Sequence, residues 1–281
     1  METGTANKIS TMDTRHLNYE TVKSNIRKNL KNYIVKHNIK SLVCGISGGI
    51  DSCLCVALAL PVCKELGVAI IGRSISILTN KPDEKDRAKK VGEEFCTDFK
   101  EVDLSTTFNN LYADISEFED DGFSEDVDEK INKGNVKARI RMIYLYNLAR
   151  KHKGIVLSTD NYTELLLSFF TLHGDVGDYG MIQNLWKHEV YNLSRSVNEE
   201  YKNKEPLQLC IDANPTDGLG ITNSDLDQLG ASSYDEVDQI LINHISEING
   251  DKNHPVIKRH LTNSFKRENP YNIPFSELIS D

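Results

Sequence analysis

The chain has 281 residues, a formal charge of −9 at pH 7 and a sequence pI near 5.4. Its 39% hydrophobic and 27% charged residues are typical of a globular protein that buries a core without disulfide or metal cross-links. The acidic balance argues against a broad electropositive surface, so we expect no nucleic-acid partner. The sequence shows neither a signal-peptide core nor the roughly 18 apolar residues of a membrane span. We therefore expect a cytoplasmic protein with no membrane partner.

Helical and strand-like segments alternate along the first part of the chain. Apolar residues four apart give residues 18–38 the single stripe of an amphipathic helix. Short apolar runs predict strands at 41–46, 68–72, 98–104 and 154–158, and longer segments predict helices at 51–67, 82–95 and 135–153. This alternation predicts an α/β fold with a central parallel sheet and helices on both faces.

Four further segments have compositions that predict irregular structure. Residues 117–130 are strongly acidic and poor in aliphatic side chains, which predicts a solvated excursion. Residues 203–223 are dense in Gly, Pro, Asn and Asp, which predicts a long binding or lid loop. Residues 1–17 form a polar lead-in and residues 269–281 an extended tail, and we expect one domain over the whole chain.

The six cysteines include no CxxC pair, and most of them lie in apolar stretches. A thiol in such a stretch behaves as a small hydrophobic side chain. The pattern therefore predicts neither a cysteine metal site nor a redox site.

The sequence GISGGIDS at residues 45–52 directly follows the first predicted strand. In an open parallel sheet, ligands bind outside the carboxyl ends of the strands, where glycines let the backbone approach an anion and serines donate hydrogen bonds. Asp51 would repel a phosphate unless a divalent cation lies between them, so the loop predicts a Mg²⁺–nucleotide site. The alternative is an ordinary turn, because Gly and Ser interrupt regular structure anywhere. The lysine of the GxxxxGK[ST] loop is absent.

This loop resembles the SGGxDS loop of the ATP pyrophosphatases, which cleave ATP between the α and β phosphates. Six further segments resemble motifs of ammonia-dependent NAD synthetase, in that family's order: 134–142, 158–178, 185–190, 215–220, 225–241 and 265–267. The resemblance covers most of residues 18–268. It implies a homodimer with the adenine-nucleotide α-hydrolase-like fold. It also implies a ligase that adenylates the carboxylate of deamido-NAD with ATP and lets ammonia displace AMP, giving NAD, AMP and pyrophosphate.

The resemblance also implies roles for individual residues. Mg²⁺ would be held by Asp51 and Glu164, and Asp175 would bind ammonium and accept its proton. Asp51, Asp175 and Lys187 are the implied catalytic residues. The implied ATP contacts are Gly45, Ile46, Ser47, Gly48, Gly49, Ile50, Asp51, Ser52, Thr159, Lys187 and Thr216. The implied deamido-NAD contacts are Arg139, Asp178 and Lys266, with Arg141 as an alternative to Arg139.

Each of these side chains also has a structural interpretation. Thr159 fits a helix cap, and Asp175 and Asp178 fit Asx turns in a Gly-rich stretch. The charged side chains of Arg139, Glu164, Lys187 and Lys266 fit solvated surface positions. The functional roles therefore depend on the motifs in which these residues lie.

Two positions depart from the family pattern. Leu172 stands where many members have a substrate-contacting lysine, with His173 next to it, and Phe265 stands where the family has a histidine. Phe265 either stacks on a ring or packs in the core, which is the commoner fate of a phenylalanine. The segment at 73–80 also differs from the family's sequence.

The chain has no room for the additional amidase domain of glutamine-dependent members, so the implied nitrogen donor is ammonia, free or delivered by a separate protein. Two other functions stay open at this point. One is a different SGGxDS ATP pyrophosphatase, which would adenylate another acid or a tRNA base. The other is a catalytically silent nucleotide-binding module.

Overall fold

The computed structural model describes residues 15–78, 80–116, 127–215, 225–247 and 251–279. Its strands are β1 Ser41–Gly45, β2 Ala69–Ser76, β3 Asp98–Asp103, β4 Ile155–Ser158 and β5 Tyr179–Gly180. Its helices are α1 Tyr19–His37, α2 Ile50–Leu66, α3 Pro82–Phe95, α4 Ser105–Ile115, α5 Val127–Lys151, α6 Tyr162–Leu167, α7 Lys187–Asn198, α8 Glu205–Asp212, α9 Asp225–Leu229, α10 Tyr234–Ile245, α11 Pro255–Thr262 and α12 Phe275–Leu278, with a 3₁₀ turn at Ser264–Lys266.

Within the described residues, five strands form one sheet in the order β3-β2-β1-β4-β5, and every neighbouring pair is parallel. The chain moves outward from β1 to β2 and β3, and then returns to the other side of β1 as β4. The connections that leave β1 and β4 therefore diverge, which opens a crevice at the carboxyl ends of these two strands. The loop at residues 45–52 lies at this crevice.

The two faces of the sheet are covered by different helices. In β1, Leu42 and Cys44 pack into a core shared with α1, α2 and α7, whereas Val43 packs on the opposite face against Ala149 of α5. Successive side chains of a strand point to opposite faces, so a strand buried on both sides reads as a continuous apolar run. The predicted parallel α/β sheet with helices on both faces is confirmed.

The local sequence explains where the central helices begin and end. Asn18 caps α1 by accepting a hydrogen bond from the backbone N–H of Thr21 at 3.0 Å. Gly67 ends α2 with a left-handed φ of 65°, which glycine adopts without strain. Pro82 occupies the first turn of α3, where its missing N–H costs nothing. All three helices match the segments predicted from the sequence.

Three of the irregular segments contain more helix than their composition predicts. The long loop predicted at 203–223 is wrong for residues 205–212, which form α8 and bury Leu207 and Cys210. The acidic excursion predicted at 117–130 is wrong for residues 127–130, which begin α5, while 117–126 lie outside the described residues. The tail at 269–281 includes the short helix α12. In each case composition assigned residues of a helix to a loop or tail.

The described part of the chain contains no helix that is long and apolar enough to cross a membrane. It also contains no disulfide, and the six cysteines are free, with five of them buried and Cys96 half-buried. Burial raises the pKa of Cys63 and Cys96 to about 12 and raises the pKa of Cys53 and Cys55 well above the ordinary value. These thiols therefore carry little of the reactive thiolate.

We expect the native protein to react with almost none of its cysteines, because the thiolate is the nucleophile and burial disfavours it. Ellman's reagent at pH 8 should label close to zero thiols in native protein. The same reagent in concentrated guanidinium should label all six. One or more rapidly reacting thiols in the native protein would contradict the burial described above.

Candidate active site

A cavity of about 380 Å³ lies at the crevice beside β1. Its walls come from the loop after β1, the end of β2, the first half of α3, the loop after β4 and the start of α7. The lining includes Gly45, Ile46, Ser47, Gly48, Gly49, Ile50, Asp51, Arg73, Glu84, Lys85, Arg87, Arg141, Thr159, Asp160, Glu164, Asp175 and Lys187. Most of the residues that the sequence assigns to ATP and metal thus share one cavity.

The loop at residues 45–52 is closed by its two serine hydroxyls. The Oγ atoms of Ser47 and Ser52 lie 3.1 Å apart, and the backbone N–H of Gly49 donates to Ser47 Oγ at 3.2 Å. Ser52 Oγ donates in turn to the Gly49 carbonyl at 3.2 Å. These bonds curl the backbone into a compact turn at the N-terminus of α2, where helix N–H groups attract anions.

Gly48 is required by its close approach to α3 as well as by its backbone conformation. Its φ is 83°, and an added Cβ would lie 2.3 Å from the Glu84 carbonyl oxygen. The Gly48 carbonyl also accepts a hydrogen bond from Arg87 Nε at 3.0 Å. Gly48 thus lets the loop pack directly against α3. This requirement for glycine adds to the one predicted from the sequence, which is the close approach of an anion.

Lys187 joins the two carboxylates that the sequence assigns to a metal. Its Nζ lies 2.6 Å from Asp51 Oδ2 and 3.1 Å from Glu164 Oε1, and its side chain is only 5% exposed. Asp51 is the second residue of α2, Glu164 lies in the first turn of α6, and Lys187 is the first residue of α7. The cluster therefore connects the N-termini of three helices that are far apart in sequence.

Asn161 orients both carboxylates of this cluster. Its side-chain Nδ2 donates to Asp51 Oδ1 at 3.0 Å, and its side-chain Oδ1 accepts the backbone N–H of Glu164 at 3.0 Å. Glu164 Oε2 accepts the backbone N–H of Asn161 at 3.3 Å, which completes a capping box at the start of α6. Asn161 was not among the residues predicted from the sequence, although the N-x-x-E spacing of a capping box was present.

Negative charge exceeds positive charge around Lys187. Burial is the main cause that raises the pKa of Glu164, which reaches about 7. The charge of Lys187 lowers this pKa, and the charge of Asp51 raises it. Burial together with the charge of Glu164 raises the pKa of Asp160 well above its usual range. Burial alone would lower the pKa of Lys187, but the charges of Asp51 and Glu164 outweigh it and raise that pKa. A further cation in this cavity would relieve the excess negative charge.

The donor set fits a magnesium ion that is shared with a nucleotide. Within the described residues, no group of three or more His, Cys, Asp or Glu side chains is arranged to hold a metal by itself. Mg²⁺ is commonly held by one or two carboxylates together with substrate phosphates and water, so Asp51 and Glu164 are sufficient in number and in kind.

Four other residues of the cavity lining are Asp175, Thr159, Asp160 and Arg141. Asp175 Oδ2 accepts the backbone N–H of Thr171, four residues earlier, at 2.7 Å, and Asp175 also lines the cavity. In an Asx turn the side chain accepts from the residue two positions later, so this bond is not the Asx turn expected at Asp175. Asp160 was missed, and only its position directly after Thr159 in the STDN segment could have suggested it. Arg141, the alternative to Arg139, lines the cavity and donates from Nε to the Ile75 carbonyl at 3.2 Å.

The three predicted deamido-NAD residues lie outside this cavity. Arg139 Nε donates to the Leu172 carbonyl at 3.3 Å, and Lys266 Nζ donates to the Phe170 carbonyl at 2.8 Å. Asp178 accepts the backbone N–H of Val156 at 2.8 Å. Arg139 and Lys266 thus both donate to carbonyls of residues 170–172, and Asp178 is held against β4.

Two further sequence expectations concern single positions. Phe265 is 61% exposed, so of the two alternatives for this side chain, packing in the core does not hold. Thr216 lies outside the described residues.

A family model for NAD synthase matches residues 22–270 of the chain. The chain belongs to the NAD synthase family. An NH3-dependent NAD(+) synthetase of Finegoldia magna is 30% identical to it over 229 residues, which are 81% of this chain and 86% of that protein. An NH3-dependent NAD(+) synthetase of Methanosarcina acetivorans is 32% identical over 226 residues, covering 80% of this chain and 82% of that protein.

Among solved structures, NMN synthetase from Francisella tularensis matches with a TM-score of 0.75 and 22% sequence identity. The match covers 92% of this chain and 100% of that one. At this identity the likeness establishes the adenine-nucleotide α-hydrolase-like fold alone. Family and fold predicted from the sequence are both confirmed.

Replacing Gly48 by alanine should destabilise the protein by roughly 2–4 kcal/mol, because the side chain would be strained at positive φ and would overlap α3. Gly49→Ala is the matched control. Gly49 has a φ of −87°, and its added Cβ would meet only Ser47 Oγ, at 3.3 Å. Urea unfolding followed by circular dichroism measures both variants, and equal losses of stability would contradict the close approach of Gly48 to α3.

Proposed function

We propose that this protein catalyses the ATP-dependent amidation of deamido-NAD with ammonia, giving NAD, AMP and pyrophosphate through an acyl-adenylate. One observation carries the proposal: in a member of the NAD synthase family, Asp51, Glu164 and Lys187 meet beside the SGGIDS loop. A loop alone would support nucleotide binding, whereas paired carboxylates and a buried ammonium suit chemistry on phosphates.

The first step transfers AMP to the acid substrate. A carboxylate oxygen of deamido-NAD attacks the α-phosphorus of ATP, the bond between that phosphorus and the bridging oxygen breaks, and pyrophosphate leaves. Residues 45–51 hold the phosphates by backbone N–H groups and by the hydroxyl of Ser47. Ser52, which the sequence also assigned to ATP, is buried outside the cavity lining, and its hydroxyl donates to the Gly49 carbonyl. Lys187 offsets the negative charge that grows on the phosphates in the transition state. Thr159 and Thr216 complete the proposed contacts to ATP.

Magnesium is the proposed cofactor. Asp51 and Glu164 would hold the ion, with phosphate oxygens and water as its other ligands. When bound, the ion offsets phosphate charge next to the carboxylates and stabilises the leaving pyrophosphate.

The second step forms the amide. Ammonia attacks the carbonyl carbon of the acyl-adenylate, the bond from that carbon to the AMP oxygen breaks, and AMP leaves. Ammonium has no lone pair, so it loses a proton before it attacks. We assign the binding of ammonium and the acceptance of this proton to Asp175, which lines the same cavity as Lys187.

We assign recognition of deamido-NAD to Arg139, Asp178 and Lys266, outside the ATP cavity, and propose a homodimer in which two chains share this substrate. Support for an apolar contact comes from the C-terminal segment, where Tyr271 and Phe275 are 67% and 74% exposed. We also propose that the enzyme is cytoplasmic. Its biosynthetic reaction supports this proposal, and so does the finding that the described residues contain no helix that could span a membrane.

Purified protein mixed with Mg-ATP, isotope-labelled ammonium and deamido-NAD should form labelled NAD, AMP and pyrophosphate, measured by mass spectrometry. Omission of deamido-NAD should abolish all three products, and Asp51→Asn should reduce NAD formation by about a hundredfold or more. A parallel mixture should contain nicotinic acid mononucleotide, because a solved structure of the same fold is an NMN synthetase. Formation of nicotinamide mononucleotide with no NAD from folded protein would overturn the proposed substrate.

Asp175→Asn should raise the KM for ammonium by about tenfold or more, because the amide cannot attract the cation or accept its proton. The KM for ATP should change by less than about threefold. Asp178→Asn makes the same charge change three residues away and should instead raise the KM for deamido-NAD. Steady-state kinetics with each substrate varied in turn separates these outcomes, and an unchanged ammonium KM in Asp175→Asn would exclude this assignment.

A further inference from the structure

A buried hydroxyl lies directly behind the cluster of Asp51, Glu164 and Lys187. Thr163 Oγ1 accepts the backbone N–H of Lys187 at 2.9 Å, and the same hydroxyl donates to Asp238 Oδ1. Thr163 is fully buried and Asp238 is 1% exposed. Thr163 immediately precedes Glu164 in α6, so one side chain connects the backbones that carry two of the three cluster residues.

The chemistry of the pair fixes the direction of these hydrogen bonds. A carboxylate only accepts, so the Thr163 proton points at Asp238 and an oxygen lone pair is left for the Lys187 N–H. Asp238 Oδ2 also accepts the backbone N–H of His188 at 2.9 Å and lies 2.9 Å from its Nδ1. Asp238 thus satisfies one backbone N–H of the first turn of α7 directly and a second one through Thr163.

Helix α10 contacts the same lysine at its other end. The Lys187 ammonium lies 5.3 Å from the centre of the Tyr234 ring, and Tyr234 and Asp238 are one helical turn apart. No residue of α10 is among the cavity-lining residues of the described structure. Helix α10 therefore contacts the residue that reaches the phosphates without contacting the cavity.

We infer that Asp238 is a positioning residue, which acts through the Thr163 hydroxyl to hold Lys187 in register with Asp51 and Glu164. The inference rests on the proposed role of Lys187 at the phosphates of ATP. Loss of the hydroxyl leaves the Lys187 N–H and Asp238 Oδ1 without this partner inside the protein, and the start of α7 shifts to find others. A shift of the helix start moves the ammonium away from both carboxylates, and binding of Mg-ATP weakens.

Thr163→Val and Thr163→Ser separate positioning from packing. Valine keeps the shape and removes the hydroxyl, whereas serine keeps the hydroxyl and removes one methyl group. Thr163→Val should weaken Mg²⁺-dependent binding of α,β-methylene-ATP by about tenfold and lower kcat by a similar factor, while Thr163→Ser stays within about threefold. Asp238→Asn should follow Thr163→Val. If valine does not fold, Thr163→Ala replaces it in the comparison.

A double variant tests whether the effect passes through Lys187. In Lys187→Met, the further change Thr163→Val should weaken binding of the analogue by less than about twofold, because the side chain that the hydroxyl positions is gone. Equal losses in the valine and serine variants, or a further tenfold loss in the double variant, would overturn the inference in favour of general destabilisation. Calorimetric binding of the analogue needs no acid substrate, so it tests positioning even where the wild type forms no NAD.

Discussion

The ammonium of Lys187 between Asp51 and Glu164 is the interaction on which the rest of the site depends. Two carboxylates at a nearly buried position repel each other, and each one loses hydration when it leaves water. Loss of the lysine from such a cluster costs about 3–5 kcal/mol, because it leaves the buried carboxylates without their counter-ion. The three residues begin or nearly begin helices α2, α6 and α7, so the charges can meet only when the three helix starts converge.

That convergence follows from the order of the strands. Because β1 lies between β2 and β4, the chain reverses direction across the sheet at β1, and the connections after β1 and β4 separate. The loop at 45–52 and the capping box at 161–164 border the resulting crevice. The apolar faces of α1, α2 and α5 hold the two strands in place from both sides, and buried cysteines of α2 contribute to that packing. The core thus supports a polar site at the carboxyl ends of the central strands β1 and β4.

The predictions made from the sequence succeeded where a local pattern carries the physical cause. An apolar run bounded by Gly and Ser favours a strand, and residues 41–45 form one as predicted. The helix predicted at 82–95 is also present. Composition was a weaker guide at 205–212, where one Pro in the first turn is compatible with a helix and the apolar residues Leu207 and Cys210 are buried. The sequence was an equally weak guide at Phe265, which is exposed. Whether that side chain is buried depends on how the whole chain folds and not on its neighbours in sequence.

The sequence by itself determined the family and the parallel α/β architecture, because ordered motifs and the alternation of strands and helices carry them. It also predicted the nucleotide loop and the two carboxylates that we propose for a metal. Only the tertiary structure decided that Lys187 pairs with both carboxylates, that Asn161 orients them and that Thr163 and Asp238 lie behind them. It also decided that Arg141 rather than Arg139 lines the cavity beside β1. Hydrogen bonds and ion pairs act over about 3 Å, and residues more than a hundred positions apart come that close only through packing of the whole chain.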